Sequence, residues 1–363
     1  MSSGKLEVSN NNKNLKDLIN EKFYNKVPDI NELLIFCTEN KCSDLYLNVN
    51  NQPYISRYGL LYLVPTFPLT NKIWNEWAKY AISSENNAKY VRQKMLDFSY
   101  TIDKDGIEYR YRISAGFSFN SNIASFRMIS KELPSFESIN FPQNIENILR
   151  SIGKKRQKIS LIVGATGSGK STTFAACIND FSKHGGPFEN SVIISLEDPI
   201  EYKFNKTENV NIIQKELGTD FKEFSLGVKQ ALREHPNFIN VGETRDRETI
   251  NTLVEASRTG HSVWTSFHAT DVADTISRLY NHLINDNSEI MYDLIANMNI
   301  ILCQRLIPSN NGFKLNIQYM IFTDEIIRFL SNLIECNKNI PNEIHKLFQN
   351  QALIKHGIVK DWD

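Results

Sequence analysis

The chain has 363 residues, enough for two or three domains with their own cores. Its 41 basic side chains balance its 41 acidic ones, and zero formal charge argues against a non-specific nucleic-acid binder, which carries a basic excess. No stretch approaches the roughly 18 uninterrupted apolar residues of a membrane-spanning helix.

The amino-terminal MSSGKLEVSNNNKN is polar and lacks the apolar core of a signal peptide. The five cysteines form no C-x-x-C pair, and the closest two, Cys37 and Cys42, are read as reduced thiols of a cytoplasmic protein. Residues 1–27 are expected to be a flexible tail. A smaller α+β domain is expected over residues 28–131. It starts with a helix over Asp29–Glu39 capped by Asp29, followed by strands at Leu45–Val49 and Tyr54–Val64. Tyr109–Phe119 alternates, and Ala124–Ile129 follows it, which predicts a hairpin turning at Asn120-Ser121-Asn122. Pro134 and Pro142 mark an interdomain linker over residues 132–144, with a hinge near Pro134.

The pattern then changes to alternating strands and helices. Strands are expected at Ile159–Val163, Ser191–Leu196, Phe238–Val241 and Ser262–Phe267. Helices are expected at Ser171–Lys183, Phe224–Glu234, Arg247–Arg258 and Val272–Leu283. This alternation predicts an α/β domain over residues 145–335, with a mainly parallel sheet covered on both faces as in RecA-like P-loop proteins. The remainder from about Asn287 reads as helix-rich with a short hairpin at Asn310-Asn311-Gly312, and residues 336–363 read as a helical extension.

Residues 164–171 read GATGSGKS, a phosphate-binding P-loop between an apolar strand and a helix. Gly164, Ala165, Thr166, Gly167, Ser168 and Gly169 offer backbone N–H donors to phosphate, and Thr172 continues the motif. Lys170 can reach the β/γ oxygens, and Ser171 can ligate Mg²⁺. The expected ligand is ATP or GTP.

In such a sheet, functional groups gather at the carboxyl ends of strands. Glu197, in LEDPIE after the strand VIIS, is the candidate to orient or deprotonate an attacking water, against the alternative of a solvated turn. Glu243, after FINVG, is placed to hold Mg²⁺. Asn240 within that strand is a buried amide that needs partners. His268, at the end of Ser262–Phe267, is read as a γ-phosphate sensor, its alternative being a structural histidine.

These segments resemble the secretion ATPase superfamily of type II and type IV secretion and type IV pili. GATGSGKST looks like its Walker A motif, LEDPIEY its aspartate box, NFINVGETRD its atypical Walker B and TGHSVWTSFHAT its histidine box, in matching order. CSDLYL, DFSYTI, YRYR and SFRMI extend the likeness into the first half. The resemblance implies a PAS-like amino-terminal domain, a mobile linker and a RecA-like motor, assembled as a homo-hexamer with ATP and Mg²⁺ between subunits. It implies partners among inner-membrane secretion components at the cytoplasmic face, and no direct contact with nucleic acid. It also implies that Arg110, Arg112 or Arg127 reaches the nucleotide, with an exposed surface strand as the alternative. Arg233 and Arg245 are further phosphate-sensing candidates, or members of ion pairs. CQRLIPSNNGFKLNIQYMIFTDEI is similar to the DotB/TraJ branch of type IVB secretion and conjugation, whereas Glu197-Asp198-Pro199 is a PilT-like feature. The competing readings are a pilus retraction motor, a RecA-like DNA-processing ATPase and a nucleotide-gated scaffold.

Overall fold

The computed structural model describes residues 14–57, 59–129, 132–153, 157–205, 207–283, 288–309, 312–336 and 340–362. The chain divides between Lys131 and Glu132 into two compact units.

In the first unit six strands form an antiparallel sheet: β1 (Asp44–Asn48), β2 (Tyr54–Arg57), β3 (Leu60–Leu63), β4 (Met95–Lys104), β5 (Ile107–Ser118) and β6 (Ser121–Ile129), in the order β3-β2-β1-β6-β5-β4. One face is covered by helices. Along β5, Tyr109, Tyr111, Ile113 and Ala115 are buried, while Arg112 and Ser114 between them are exposed. The helix Ile30–Glu39 is capped as expected, with the Asp29 side chain accepting from the Glu32 N–H at 2.8 Å.

Two expectations need correction here. Residues 15–23, expected to lie in a flexible tail, form a helix that buries Leu15, Ile19 and Phe23 in the core. Its i, i+4, i+8 apolar spacing is diluted by the Lys, Asn and Asp around it. The β5–β6 hairpin turns one step earlier than predicted. Ser118 pairs with Ser121 across Phe119-Asn120, whose φ values of 48° and 60° are those of a two-residue type I′ turn.

The second unit carries eight strands: β7 (Ile159–Val163), β8 (Ser191–Glu197), β9 (Val210–Glu216), β10 (Phe238–Val241), β11 (Ser262–Phe267), β12 (Met298–Ser309), β13 (Gly312–Ile321) and β14 (Val359–Lys360). Their order is β14-β13-β12-β7-β11-β10-β8-β9, parallel from β12 to β9 and antiparallel at β13 and β14. Both faces are buried. Leu161 and Val163 of β7 join one apolar cluster with the helices Phe224–Leu232, Arg247–Arg258 and Val272–Leu283, while Ile162 joins the opposite one with Phe174, Phe181 and Trp264. Burial on two sides explains why ISLIV is apolar throughout rather than alternating.

Residues from 288 onward are less helical than expected. β12 and β13 form a long hairpin that extends the sheet beside β7, and its turn residues 310 and 311 lie outside the described residues. Residues 340–362 are no appendage either, since Ile344, Leu347, Phe348 and Leu353 are buried in the core and β14 pairs with β13. The linker also differs from its reading. Asn179 Nδ2 donates to the Pro134 carbonyl at 2.9 Å, the Phe136 N–H donates to Asp180 at 2.7 Å, and Phe136 and Phe141 are buried. The stretch from Pro134 to Phe141 is docked on the second unit, so the hinge expected at Pro134 is a packed segment. Among the described residues no helix is long and apolar enough to cross a membrane.

Candidate active site

The loop between β7 and the helix Lys170–Phe181 is shaped by close backbone approach. A Cβ on Gly164 would lie 2.4 Å from both the Gln304 carbonyl oxygen and Ser168 Oγ, so no side chain fits there. Gly169 holds φ 86° as the residue preceding the helix, a left-handed conformation that favours glycine. The first turn of the helix therefore opens onto the loop, where unpaired N–H groups and the helix dipole favour an anion. Lys170 Nζ donates to the carbonyls of Gly164 at 2.9 Å and Ala165 at 3.0 Å. Burial pulls its ammonium below the usual lysine range, partly countered by the charge of Glu243. Ala165, Thr166, Gly167 and Ser171 are exposed, Ser168 is buried, and the Thr172 hydroxyl meets Tyr202 OH at 3.2 Å.

Because β7, β11, β10 and β8 are parallel neighbours, their carboxyl ends line up beside this loop. Glu243 follows β10, is only 13 % exposed, and is ion-paired with Arg245. The same guanidinium lies 3.7 Å from Asp198, and His268 Nε2 lies 3.6 Å from the second Glu243 oxygen. Burial and then the nearby Lys170 charge lower the His268 pKa, so the ring is neutral at neutral pH. Glu197, at the end of β8, accepts from Ser195 Oγ at 2.8 Å and from Gln214 Nε2 at 2.9 Å. Burial raises its pKa, and these donors partly offset that.

Lys170, Glu197, Glu243, Arg245 and His268 are thus brought to one edge of the sheet. Arg245 stands there as an ion-pair partner of Glu243 and Asp198, one of its two expected roles. Arg233 does not join them. It ends the helix Phe224–Leu232 just before β10 begins, at the amino edge of the sheet, because a crossover helix runs antiparallel to its strands. Arg110, Arg112 and Arg127 belong to the first unit. Arg112 pairs across strands with Arg127, whose Nε lies 3.1 Å from Asp44, and Arg110 lies 3.8 Å from Glu108.

A nucleotide-bound Mg²⁺ takes one or two protein oxygens and fills its shell with phosphate and water. The Ser171 hydroxyl and the Glu243 carboxylate suit that demand, the first by its exposure and the second by its place at a strand end beside Lys170. Among the described residues no group of three His, Cys, Asp or Glu could bind a metal by itself.

One residue escaped the sequence reading. Gln304, on β12, is 1 % exposed and donates from Nε2 to the Ser168 carbonyl at 2.7 Å, bracing the loop from the side away from Glu197. An amide directly after the apolar run IILC is the signal that could have exposed it, as a buried amide did for Asn240.

Residues 97–340 match the family model described as type II/IV secretion system protein. The type IV pilus ATPase PilU of Pseudomonas aeruginosa is 29% identical over 285 residues, covering 78% of this chain and 72% of that protein. The type IV pilus retraction ATPase PilT of the same organism is 29% identical over 317 residues, covering 85% and 86%. Among solved structures, the pilus retraction motor PilT with bound ADP superposes with a TM-score of 0.76 at 30% identity, over 92% of this chain and 95% of that one. The ATPase DotB of Legionella pneumophila gives a TM-score of 0.74 at 24% identity over 93% and 94%, a likeness of fold. With two thirds of its length matched by the family model and its P-loop and strand-end residues gathered at one edge of the sheet, the chain belongs to the type II/IV secretion system protein family.

Proposed function

We propose that this protein is an ATPase motor that hydrolyses ATP to ADP and phosphate. It would work as a homo-hexamer of a PAS-like and a RecA-like domain, powering a type IVB secretion or conjugation machine at the cytoplasmic face of the inner membrane. The observation that carries the reading is the meeting of Lys170, Glu197, Glu243 and His268 at the carboxyl edge of four parallel strands. Relatives named as ATPases and a similar structure holding ADP support it.

Phosphoryl transfer depends on positioning and charge more than on covalent chemistry. In the proposed mechanism the loop N–H groups and Lys170 hold the phosphates, with Lys170 exchanging its two loop carbonyls for phosphate oxygens. Ser171 and Glu243 would hold Mg²⁺, whose contribution when bound is to neutralise charge on the β- and γ-phosphates. Glu197 takes a proton from the attacking water, a role helped by the burial that raises its basicity. Neutral His268 would sense the γ-phosphate through Glu243. At least one of Arg110, Arg112 and Arg127 would contact nucleotide in the assembled ring.

The choice of a type IVB system rests on the likeness of the β12–β13 segment to the DotB/TraJ branch. A second reading, pilus retraction, is favoured by the higher identity to PilT. Both share the chemistry, and pull-down of the membrane partner separates them. The test of the motor itself is the ATPase rate together with mass in solution for the wild type and Glu197→Gln, with and without single-stranded DNA. Hydrolysis by a hexamer, indifferent to DNA and lost in the variant, is the expected result. A monomer stimulated by DNA would overturn it in favour of a DNA-processing enzyme.

A further inference from the structure

Asn240, Ser195 and Gln214 stand at one level across the neighbouring strands β10, β8 and β9. Glu197 lies two residues further along β8, on the same face as Ser195. Asn240 and Ser195 are 4 % and 0 % exposed. Asn240 Nδ2 donates to Ser195 Oγ at 2.8 Å, and Ser195 Oγ in turn donates to Glu197 Oε1 at 2.8 Å. Gln214 Nε2 donates to the same carboxylate oxygen at 2.9 Å and to the Tyr202 carbonyl at 2.6 Å, while its Oε1 accepts from the Phe204 N–H at 3.0 Å.

The direction of this chain is fixed by chemistry. An ionised carboxylate can only accept, so Ser195 must spend its single proton on Glu197. The Ser195 oxygen is then left as an acceptor that needs a donor, and the Asn240 amide supplies one. Asn240 presents its NH₂ group for that reason. Its Oδ1 has no protein partner and the residue lines a cavity of about 40 Å³ shared with Ser171, Glu197, Tyr202 and Gly242. A cavity of this size has room for one water, which would take the remaining acceptor. Leucine or valine would fill the middle of a strand buried on both faces without that requirement, so an amide here has a polar task.

We propose that Asn240 is a positioning residue that acts through Ser195 to hold the Glu197 carboxylate in one orientation toward the attacking water, with Oε1 occupied by two donors. The inference rests on the assignment of Glu197 as the base. Three variants separate the possibilities. Ser195→Ala removes the proton given to Glu197. Asn240→Asp keeps the shape and reverses the bond, because a carboxylate at 240 competes for the Ser195 proton. Asn240→Ala leaves Ser195 free to donate to Glu197. Misdirecting a catalytic group costs about 10- to 100-fold in turnover. Such a fall in kcat is therefore expected for Ser195→Ala and Asn240→Asp, a smaller one for Asn240→Ala, and in all three the KM for ATP stays within about two-fold of wild type. A purely structural role would not split kcat from KM, nor make reversal worse than removal. Should Asn240→Asp fail to fold, Ser195→Ala decides the matter.

The experiment is steady-state ATP hydrolysis by the full-length assembled protein, with Glu197→Gln alongside. Wild-type kcat in both Ser195→Ala and Asn240→Asp, with Glu197→Gln inactive, would overturn the relay and leave the base in place. Full activity in Glu197→Gln would instead remove the assignment on which the relay rests.

Discussion

Replacing Gln304 by leucine tests how the phosphate loop keeps its shape. The two side chains are similar in volume, so the substitution removes the 2.7 Å bond to the Ser168 carbonyl without opening a large hole. Losing one partner of a buried hydrogen bond leaves the other unsatisfied at a cost of about 1–3 kcal/mol. The loop can relieve that cost by turning the Ser168 carbonyl toward water, a shift that nucleotide binding must then reverse. The penalty is therefore expected in affinity more than in stability, as a weakening of roughly 5- to 150-fold in Kd. Titration with a fluorescent ADP analogue measures it, with calorimetric melting in parallel to show that the fold is intact. Gly164→Ala is the steeper companion, since its Cβ would meet the backbone carbonyl of Gln304 at 2.4 Å. ADP binding by Gln304→Leu within two-fold of wild type would refute the idea that β12 braces the loop.

Three other outcomes follow from the same geometry. Glu197 has a folded pKa above its ordinary value near 4.5, so its contribution is most stabilising below that pH and is lost as pH rises through the folded value. Glu197→Gln should melt higher than wild type at pH 7 to 8, with the gap closing toward pH 4, and equal melting across that range would contradict the burial penalty. If Arg112 or Arg127 acts as an arginine finger, its replacement by alanine should lower turnover by about 10³- to 10⁵-fold while the protein still binds ADP. Unchanged turnover in both variants would confine those arginines to the surface of their sheet. Val359→Asp places a charge in the buried β14 edge, and a loss of about 2–3 kcal/mol in urea unfolding is expected. An unaltered midpoint would mean that residues 340–362 do not contribute to the core.

What the sequence made legible was local. GATGSGKS, the acids after VIISL and FINV, and His268 after SVWTSF each announce themselves within about ten residues, and parallel pairing then sets them side by side. The β12–β13 hairpin was read as short because Gln304 and Arg305 interrupt the apolar pattern of β12, and their reasons lie elsewhere. Gln304 reaches back to Ser168, and the Arg305 guanidinium stacks on the Trp362 ring at 3.6 Å. The 15–23 helix was hidden by a stripe only three residues deep. Arg233 was misplaced because residue type alone does not say at which edge of a sheet a helix ends.

The docked connector has a mechanical consequence. Asn179 and Asp180, which grip Pro134 and Phe136, lie in the last turn of the same helix whose first turn faces the phosphate site. That helix is 12 residues long, a stiff rod of about 18 Å. Its first turn thus faces the phosphate-binding loop and its last turn holds the segment leading back toward the first unit. In the proposed motor, a tilt imposed on the rod when phosphate arrives or departs would be delivered to that segment without passing through a flexible loop, so that chemistry and traction would share one shaft.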